Sequence, residues 1–270
     1  MKRMALVSLL LALPVLAFSQ NAADIVSASR NRIPSGAIST VSKMVITDAN
    51  GRTTTRYMYQ FTKDFPNGSR TVVAFPESSN GRRLNDSSIA NTRFLTIANS
   101  GGGTSQRIFL PETRKVTPIS SSDGSKPFLG TDFSSDDMSS LNRAANLDTH
   151  SLLREEQFSG PFTGGTRACY VIESKPKDSS FQYSRMVQWI DKETLIIYRI
   201  ELYDQKNVLT KLVEMGNVKE FQGRLTPTMT KGTTVGKGTS TTIEIQTISY
   251  DASIPDGVFT DYYLLNGRSQ

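Results

Sequence analysis

The sequence predicts a mainly β fold: an antiparallel meander of about eleven strands, curled into a half-open or closed barrel with short helices covering it. Three observations predict it. Segments of alternating apolar and polar residues recur along most of the chain, tight-turn signals separate them, and only two short stretches carry a helical pattern. The first helix candidate runs from Ala22 to Arg32, with Asp24 near its start and Ile25, Val26 and Ala28 as a small apolar face; Pro34-Ser35-Gly36 ends it. Ile38, Met44 and Ile46 then share one strand parity, and Asn50-Gly51 is a two-residue hairpin signal. Arg52 to Phe61 returns with Tyr57, Tyr59 and Phe61 at alternate positions. Arg70 to Phe75, Asn91 to Ala98 and Gln106 to Leu110 are the next strands.

Pro111 to Leu147 differs, being rich in Ser and Asp, and holds the second helix candidate, Ser134 to Asn142. Ser134 and Asp137 have capping-box spacing, and Asp136 and Asp137 suit a helix N-terminus electrostatically. Strands resume at Thr149–Phe158, Gly165–Lys175, Phe181–Asp191, Thr194–Tyr203, Val208–Phe221 and Thr241–Tyr250. Ile196, Tyr198, Ile200 and Leu202 form one apolar row; Leu209, Val213 and Met215 form another, interrupted by Lys211; Ala168, Tyr170 and Ile172 oppose Cys169 and Val171. Such a sheet must cover its apolar face, and two short helices are too little to do so over a flat layer, so the sheet should curl on itself. The inner face then offers Met44, Ile46, Tyr57, Tyr59, Tyr170, Ile172, Ile196, Tyr198, Ile200 and Leu202 as cavity candidates.

Met1 to Gln20 has the form of a secretory signal: Lys2 and Arg3, an apolar run from Ala5 to Leu16, and Ala17-Phe18-Ser19 as a small-x-small cleavage site. The expected organisation is a leader over 1–20 and one domain over 21–270, exported to a bacterial periplasm. The 270 residues carry a net charge of +6, two units of which belong to Lys2 and Arg3, so +4 remains without the leader. That is too small to point to nucleic acid without a localised patch. One Cys and one His exclude a disulfide framework and multi-His or multi-Cys metal sites. His150 reads as a surface or satisfied residue, and Cys169 as a buried thiol without a nearby base. Asp132, Asp136 and Asp137 lack EF-hand spacing and read as capping residues. Gly232 to Thr239 resembles a phosphate loop only superficially, with Gly238 where Ser or Thr is needed, and reads as a flexible hairpin loop. No catalytic residue, metal or cofactor is expected.

The segment Phe128-Leu129-Gly130-Thr131-Asp132-Phe133-Ser134, followed by Asp137-Met138, resembles the signature of bacterial outer-membrane lipoprotein-sorting proteins of the LolA-like superfamily, in its spirochaete-type branch. Arg107-Ile108-Phe109-Leu110-Pro111, Trp189-Ile190-Asp191 with Tyr203, Asp204 and Lys211, and Ile254-Pro255-Asp256 with Phe259, Thr260 and Leu264 follow the family's order over nearly the whole chain. Thr131 stands where the family usually has Ser, and the context of Arg52 and Arg56 does not match the functional arginine of the proteobacterial carrier. The resemblance implies an unclosed antiparallel barrel (LolA/LolB-like) that shields acyl chains of lipoproteins or other lipids crossing the periplasm toward the outer membrane. It implies as partners those acyl chains, an inner-membrane transporter and an outer-membrane acceptor, for a monomeric carrier that is not an enzyme. The signature, including Met138, should form a lid, with Gly130 as hinge. The alternative is a non-catalytic periplasmic module accessory to an envelope transporter; a lipid hydrolase would need a Ser activated by a carboxylate or Lys.

Overall fold

The computed structural model describes residues 21–34, 36–100, 103–120, 124–134, 137 and 144–269. The leader pattern therefore lies outside the described residues. Helix α1 (Ala22–Arg30) begins at Asn21, whose side chain accepts from the Ala23 N–H at 3.2 Å. Its buried residues are Ala22, Ile25, Val26 and Ser29, the spacing of one helical face. Ala28, expected on that face, is exposed, because the helical step carries it off the row.

The strands are β1 (Ala37–Thr47), β2 (Thr53–Phe65), β3 (Gly68–Ala74), β4 (Ser78–Ser79), β5 (Arg82–Arg83), β6 (Arg93–Asn99), β7 (Thr104–Leu110), β8 (Lys115–Pro118), β9 (Asp148–Phe158), β10 (Arg167–Pro176), β11 (Arg185–Asp191), β12 (Ile197–Tyr203), β13 (Leu209–Phe221), β14 (Arg224–Thr234) and β15 (Thr239–Tyr250). Thirteen of them make one sheet in the order β8-β7-β6-β3-β2-β1-β15-β14-β13-β12-β11-β10-β9, while β4 and β5 pair with each other. The first half of the chain builds outward from β1 to the β8 edge. The next strand in the chain, β9, lies at the far edge, and the strands that follow lead back to β15, which pairs with β1.

The expected strand count missed β8 and β14 of the main sheet and the short β4–β5 pair. Pro227 and Gly232 interrupt the strand pattern of β14, and the Gly232–Thr239 stretch read as a loop turns only over 235–238. Gly232 is a strand residue with no room for a side chain: a Cβ there would lie 2.7 Å from the Phe133 ring.

The sheet curls but does not close. Met58 of β2 and Ile200 of β12 line one cavity, although five places separate their strands in the sheet order. At about 4.8 Å per strand a flat sheet would hold them about 24 Å apart. Three clusters lie on the concave face: Met44, Met58, Val73 and Phe94; Phe133, Met186, Ile200, Leu202 and Val213; and Ile172 and Ile190 beneath α1. The convex face is covered over Val72, Leu95 and Phe109 by the C-terminal segment, whose Ile254, Val258, Phe259 and Leu264 are buried. That segment ends in α2 (Asp261–Asn266), where the Thr260 side chain accepts from the Tyr263 N–H and Gly267, at φ +69, stops the helix.

Candidate functional site

The concave face encloses a cavity of about 450 Å³, inside the range of about 300–1,000 Å³ usual for ligand sites. Its deep wall is apolar: Met58, Phe133, Ile200, Met215, Ile243 and Ile245. Ser29 and Arg30 at the end of α1 and Arg32 just beyond it also line the cavity, and Thr40, Ser42 and Gln60 of β1 and β2 lie in register beside Met58 and Ile245. A second hollow of about 490 Å³ lies on the convex face beneath Pro161–Gly164, between Arg167 and Glu244. It has fewer apolar walls, so the concave cavity is the better-built site.

The cavity candidates divide. Ile200 lines the cavity, and Met44, Ile46 and Leu202 pack on the same face beside it. Tyr170 and Ile172 also face inward, but α1 covers them through Ala22, Ile25 and Val26. Tyr57 and Tyr59 are corrections. Met58 and Gln60 line the cavity and pair with Ser42 and Thr40, which leaves the two tyrosines, opposite Lys43 and Val41, on the convex face. Ile196 and Tyr198 are corrections too. Trp189 pairs with Arg199 and Ile190 with Ile197, so Tyr198 is the extra residue of a β-bulge. The bulge breaks the apparent apolar row: Ile200 and Leu202 point inward, while Ile196 and Tyr198 join Val171 and Trp189 outside.

The signature lies between β8 and β9, over the concave face. Phe128 and Leu129 pack on the Met44–Met58 cluster, and Arg56 donates to the Leu129 carbonyl at 2.6 Å. Leu129 and Gly130 are both left-handed, at φ +49 and +77. The Thr131 hydroxyl donates to the Phe128 carbonyl at 2.7 Å. Asp132 is buried, and its carboxylate accepts the hydroxyls of Thr234, Thr239 and Thr241 from β14 and β15. Phe133 enters the space left by Gly232 and forms part of the cavity wall. Ser134 and Asp137 make the expected reciprocal cap: the Asp137 N–H donates to Ser134 Oγ at 3.1 Å, and the Ser134 N–H to Asp137 Oδ2 at 2.6 Å. Asp137 also accepts from Lys211 and from the Tyr183 hydroxyl. Lys211, the break in the β13 apolar row, is thus the cation that meets the signature. A swing about Gly130 would have to break these buried bonds, which counters the expected hinge. Met138 and the rest of the second helix candidate lie outside the described residues.

A directed chain of hydrogen bonds ends at the cavity. Arg30 Nη2 donates to Gln188 Oε1 at 3.4 Å, and Gln188 Nε2 donates to Ser174 Oγ at 2.9 Å. Ser174 Oγ lies 2.8 Å from His150 Nδ1, and His150 Nε2 lies 2.8 Å from the Ala145 carbonyl. A carbonyl only accepts, so in the neutral ring Nε2 carries the proton and Ser174 donates to Nδ1. Burial pushes the Arg30 guanidinium down to about 10, against the opposing charge of Asp148. Burial also lowers Arg32, which donates to the Leu225 carbonyl at 2.6 Å. The Ser174–His150 contact has the form of a nucleophile and base, yet Ser174 is 0% exposed and no substrate carbonyl reaches it.

A family model described as an uncharacterized protein matches residues 78–266. A domain inferred to be an outer membrane lipoprotein-sorting protein, from Vibrio parahaemolyticus, superposes with a TM-score of 0.78 at 23% identity, covering 90% of this chain and 98% of its own. A DUF1329 family protein from Desulfovibrio piger gives 0.79 at 24% identity, covering 90% and 97%. A LolA superfamily protein from Nitrosomonas europaea gives 0.65 at 18% identity, covering 90% and 99%. The chain belongs to the matched family and has the LolA-like fold. No curated protein matches it.

Sequence reading missed the arginines of this LolA-like cavity. Ser29-Arg30-Asn31-Arg32 carries two cations at the end of an amphipathic helix, and such residues ordinarily suit the negative end of the helix dipole at the surface. The local pattern gives the apolar face of the helix through Ile25 and Val26, but not which part of the sheet its C-terminal end meets. Gln188 offered a weaker signal, as the one amide in the apolar run Met186 to Ile190.

Proposed function

We propose that this LolA-like chain is a periplasmic carrier that holds acyl chains of lipoproteins or other lipids in the concave cavity and delivers them toward the outer membrane. The observation that carries the reading is the cavity: an apolar deep wall of ligand-site size inside a curled sheet. Each methylene moved from water to that wall contributes about 0.8 kcal/mol, so a partly inserted chain already binds reversibly. The likeness to a domain inferred to sort outer-membrane lipoproteins agrees with that use. The leader pattern over 1–20 supplies the route to the periplasm. An inner-membrane transporter loads the carrier and an outer-membrane acceptor unloads it. The chemistry is capture and release without bond breaking.

Uptake of a fluorescent fatty acyl probe tests this. The wild-type protein takes up the probe, and native mass spectrometry of protein from its own host shows co-purifying lipid. Ile200→Trp and Met215→Trp, which fill the deep wall, lower uptake at least about tenfold with the β-sheet circular dichroism unchanged. A folded wild-type protein with a clean apo mass and no uptake overturns the carrier and leaves the accessory-module reading.

A further inference from the structure

We propose that the acyl chain enters and leaves the cavity where β1 begins and β15 ends, and that the Arg32–Leu225 hydrogen bond is the tie that holds this mouth shut. This rests on the carrier reading and names the door of the same cavity.

The cavity runs lengthwise along the strands. On β1 its lining passes from Ser42 through Thr40 to Ile38, the second residue of the strand. On β15 it passes from Ile243 through Ile245 to Tyr250, the last residue, which pairs with Ile38. On β14 it passes from Thr230 to Pro227, near the strand's start, and on β12 from Ile200 to Ile197, the first residue. These strand ends share one side of the antiparallel sheet and frame the mouth. The inner end is closed by Phe133, which fills the space at Gly232. Next to it Asp132 is fastened to the hydroxyls of Thr234, Thr239 and Thr241. Opening there would strip a buried carboxylate of three hydrogen bonds.

The mouth is held differently. α1 packs on Ile172 of β10 and Ile190 of β11, and Ser29 Oγ in its last turn donates to the Leu195 carbonyl at 2.7 Å. From there the chain passes to β1, five places from β11 in the sheet order, and Asn31–Pro34 lead it across the mouth. Arg32 and Ile33 line the cavity from this link. Arg32 donates to the Leu225 carbonyl of β14 at 2.6 Å, its only hydrogen bond or ion pair among the described residues, and Leu225 is 41% exposed. One hydrogen bond at the surface thus ties the link to the opposite side of the mouth, against several buried ones at the inner end. The end with the lower local opening cost is the one that opens. Release of Arg32 leaves the packing of α1 on the sheet intact.

Stopped-flow mixing of the full-length mature protein with a fluorescent fatty acyl probe tests this. Arg32→Met keeps an apolar side chain at the mouth and removes the tie. It raises the association and dissociation rates together, each by about fivefold or more, with Kd within about twofold, because a door serves both directions. Asp132→Asn, which loosens the signature, changes both rates by less than about twofold. In R32C/L225C a cleavable bifunctional thiol reagent fastens the mouth, while Cys169, 0% exposed, stays out of reach. Loading stops on cross-linking and returns on cleavage. Unchanged loading after cross-linking overturns the mouth and leaves the carrier standing. So does Arg32→Met with neither rate or only one rate altered, or Asp132→Asn speeding loading as much as Arg32→Met does. No probe uptake by folded wild-type protein overturns both.

Discussion

Cys169 shows how one side chain takes its chemistry from its surroundings. It is 0% exposed, on the convex face with Val171 and Trp189. Burial pushes its thiol from an ordinary 9.0 up to about 12, and the charges of Asp191 and Glu156 add to the rise. The folded value exceeds the unfolded one, so the stability this thiol supplies is complete below pH 9 and is lost as pH rises toward about 12. Urea unfolding at pH 8 and pH 10.5 should therefore shift the balance between wild type and Cys169→Ala by about 2 kcal/mol in favour of the variant. Parallel behaviour at both pH values would sink this account. His150 also follows its context. It was read as surface or satisfied, and its two ring nitrogens are satisfied by Ser174 and Ala145. That it stands behind an arginine of the cavity was not legible, because twenty-four residues separate it from Ser174.

The segment between β8 and β9 is the element that most changed meaning. Its signature was read as a lid turning on Gly130, and its capping residues Ser134 and Asp137 do cap each other. The same segment is fastened to β14 and β15 through Asp132 and to β13 through Asp137. Removing the Asp132 carboxylate leaves three threonine hydroxyls without their acceptor, and a hydrogen bond to a charged group is worth about 1.5–3 kcal/mol. Asp132→Ala should lower unfolding free energy by about 3 kcal/mol in urea titration; a loss under 0.5 kcal/mol would mean that the latch carries no stability. Strand parity located Met44, Ile46, Ile172 and Ile200 on the concave face. It misplaced Ile196 and Tyr198 because a bulge leaves no mark on local alternation: it depends on pairing with β11. Tyr57 and Tyr59 were misplaced for a different reason. Both faces of β2 carry bulky residues, and the convex one is covered next to Phe61 by the C-terminal segment, far away in sequence.

Taken whole, the molecule is a sheet that curls without closing, with α1 inside, α2 outside and a cavity between the two halves of the meander. A ligand that binds only the folded form raises stability by mass action, about 2.7 kcal/mol at a free concentration of one hundred times Kd. For a domain of this size, delipidated protein should gain about 5–10 °C in Tm when saturated with an acyl ligand. An unchanged Tm at that ligand concentration would argue against a cavity occupant. By itself, the sequence determined the mainly β class, the hairpin meander, the helix after Asn21 and the family signature, since each depends on neighbours along the chain. Only the tertiary structure decided that thirteen strands share one sheet, which face of each is inside, and that Arg30 and Arg32 meet Ile200 and Phe133 around one space. Those outcomes depend on curl, bulges and long-range pairing, whose energies come from contacts between residues far apart in the chain.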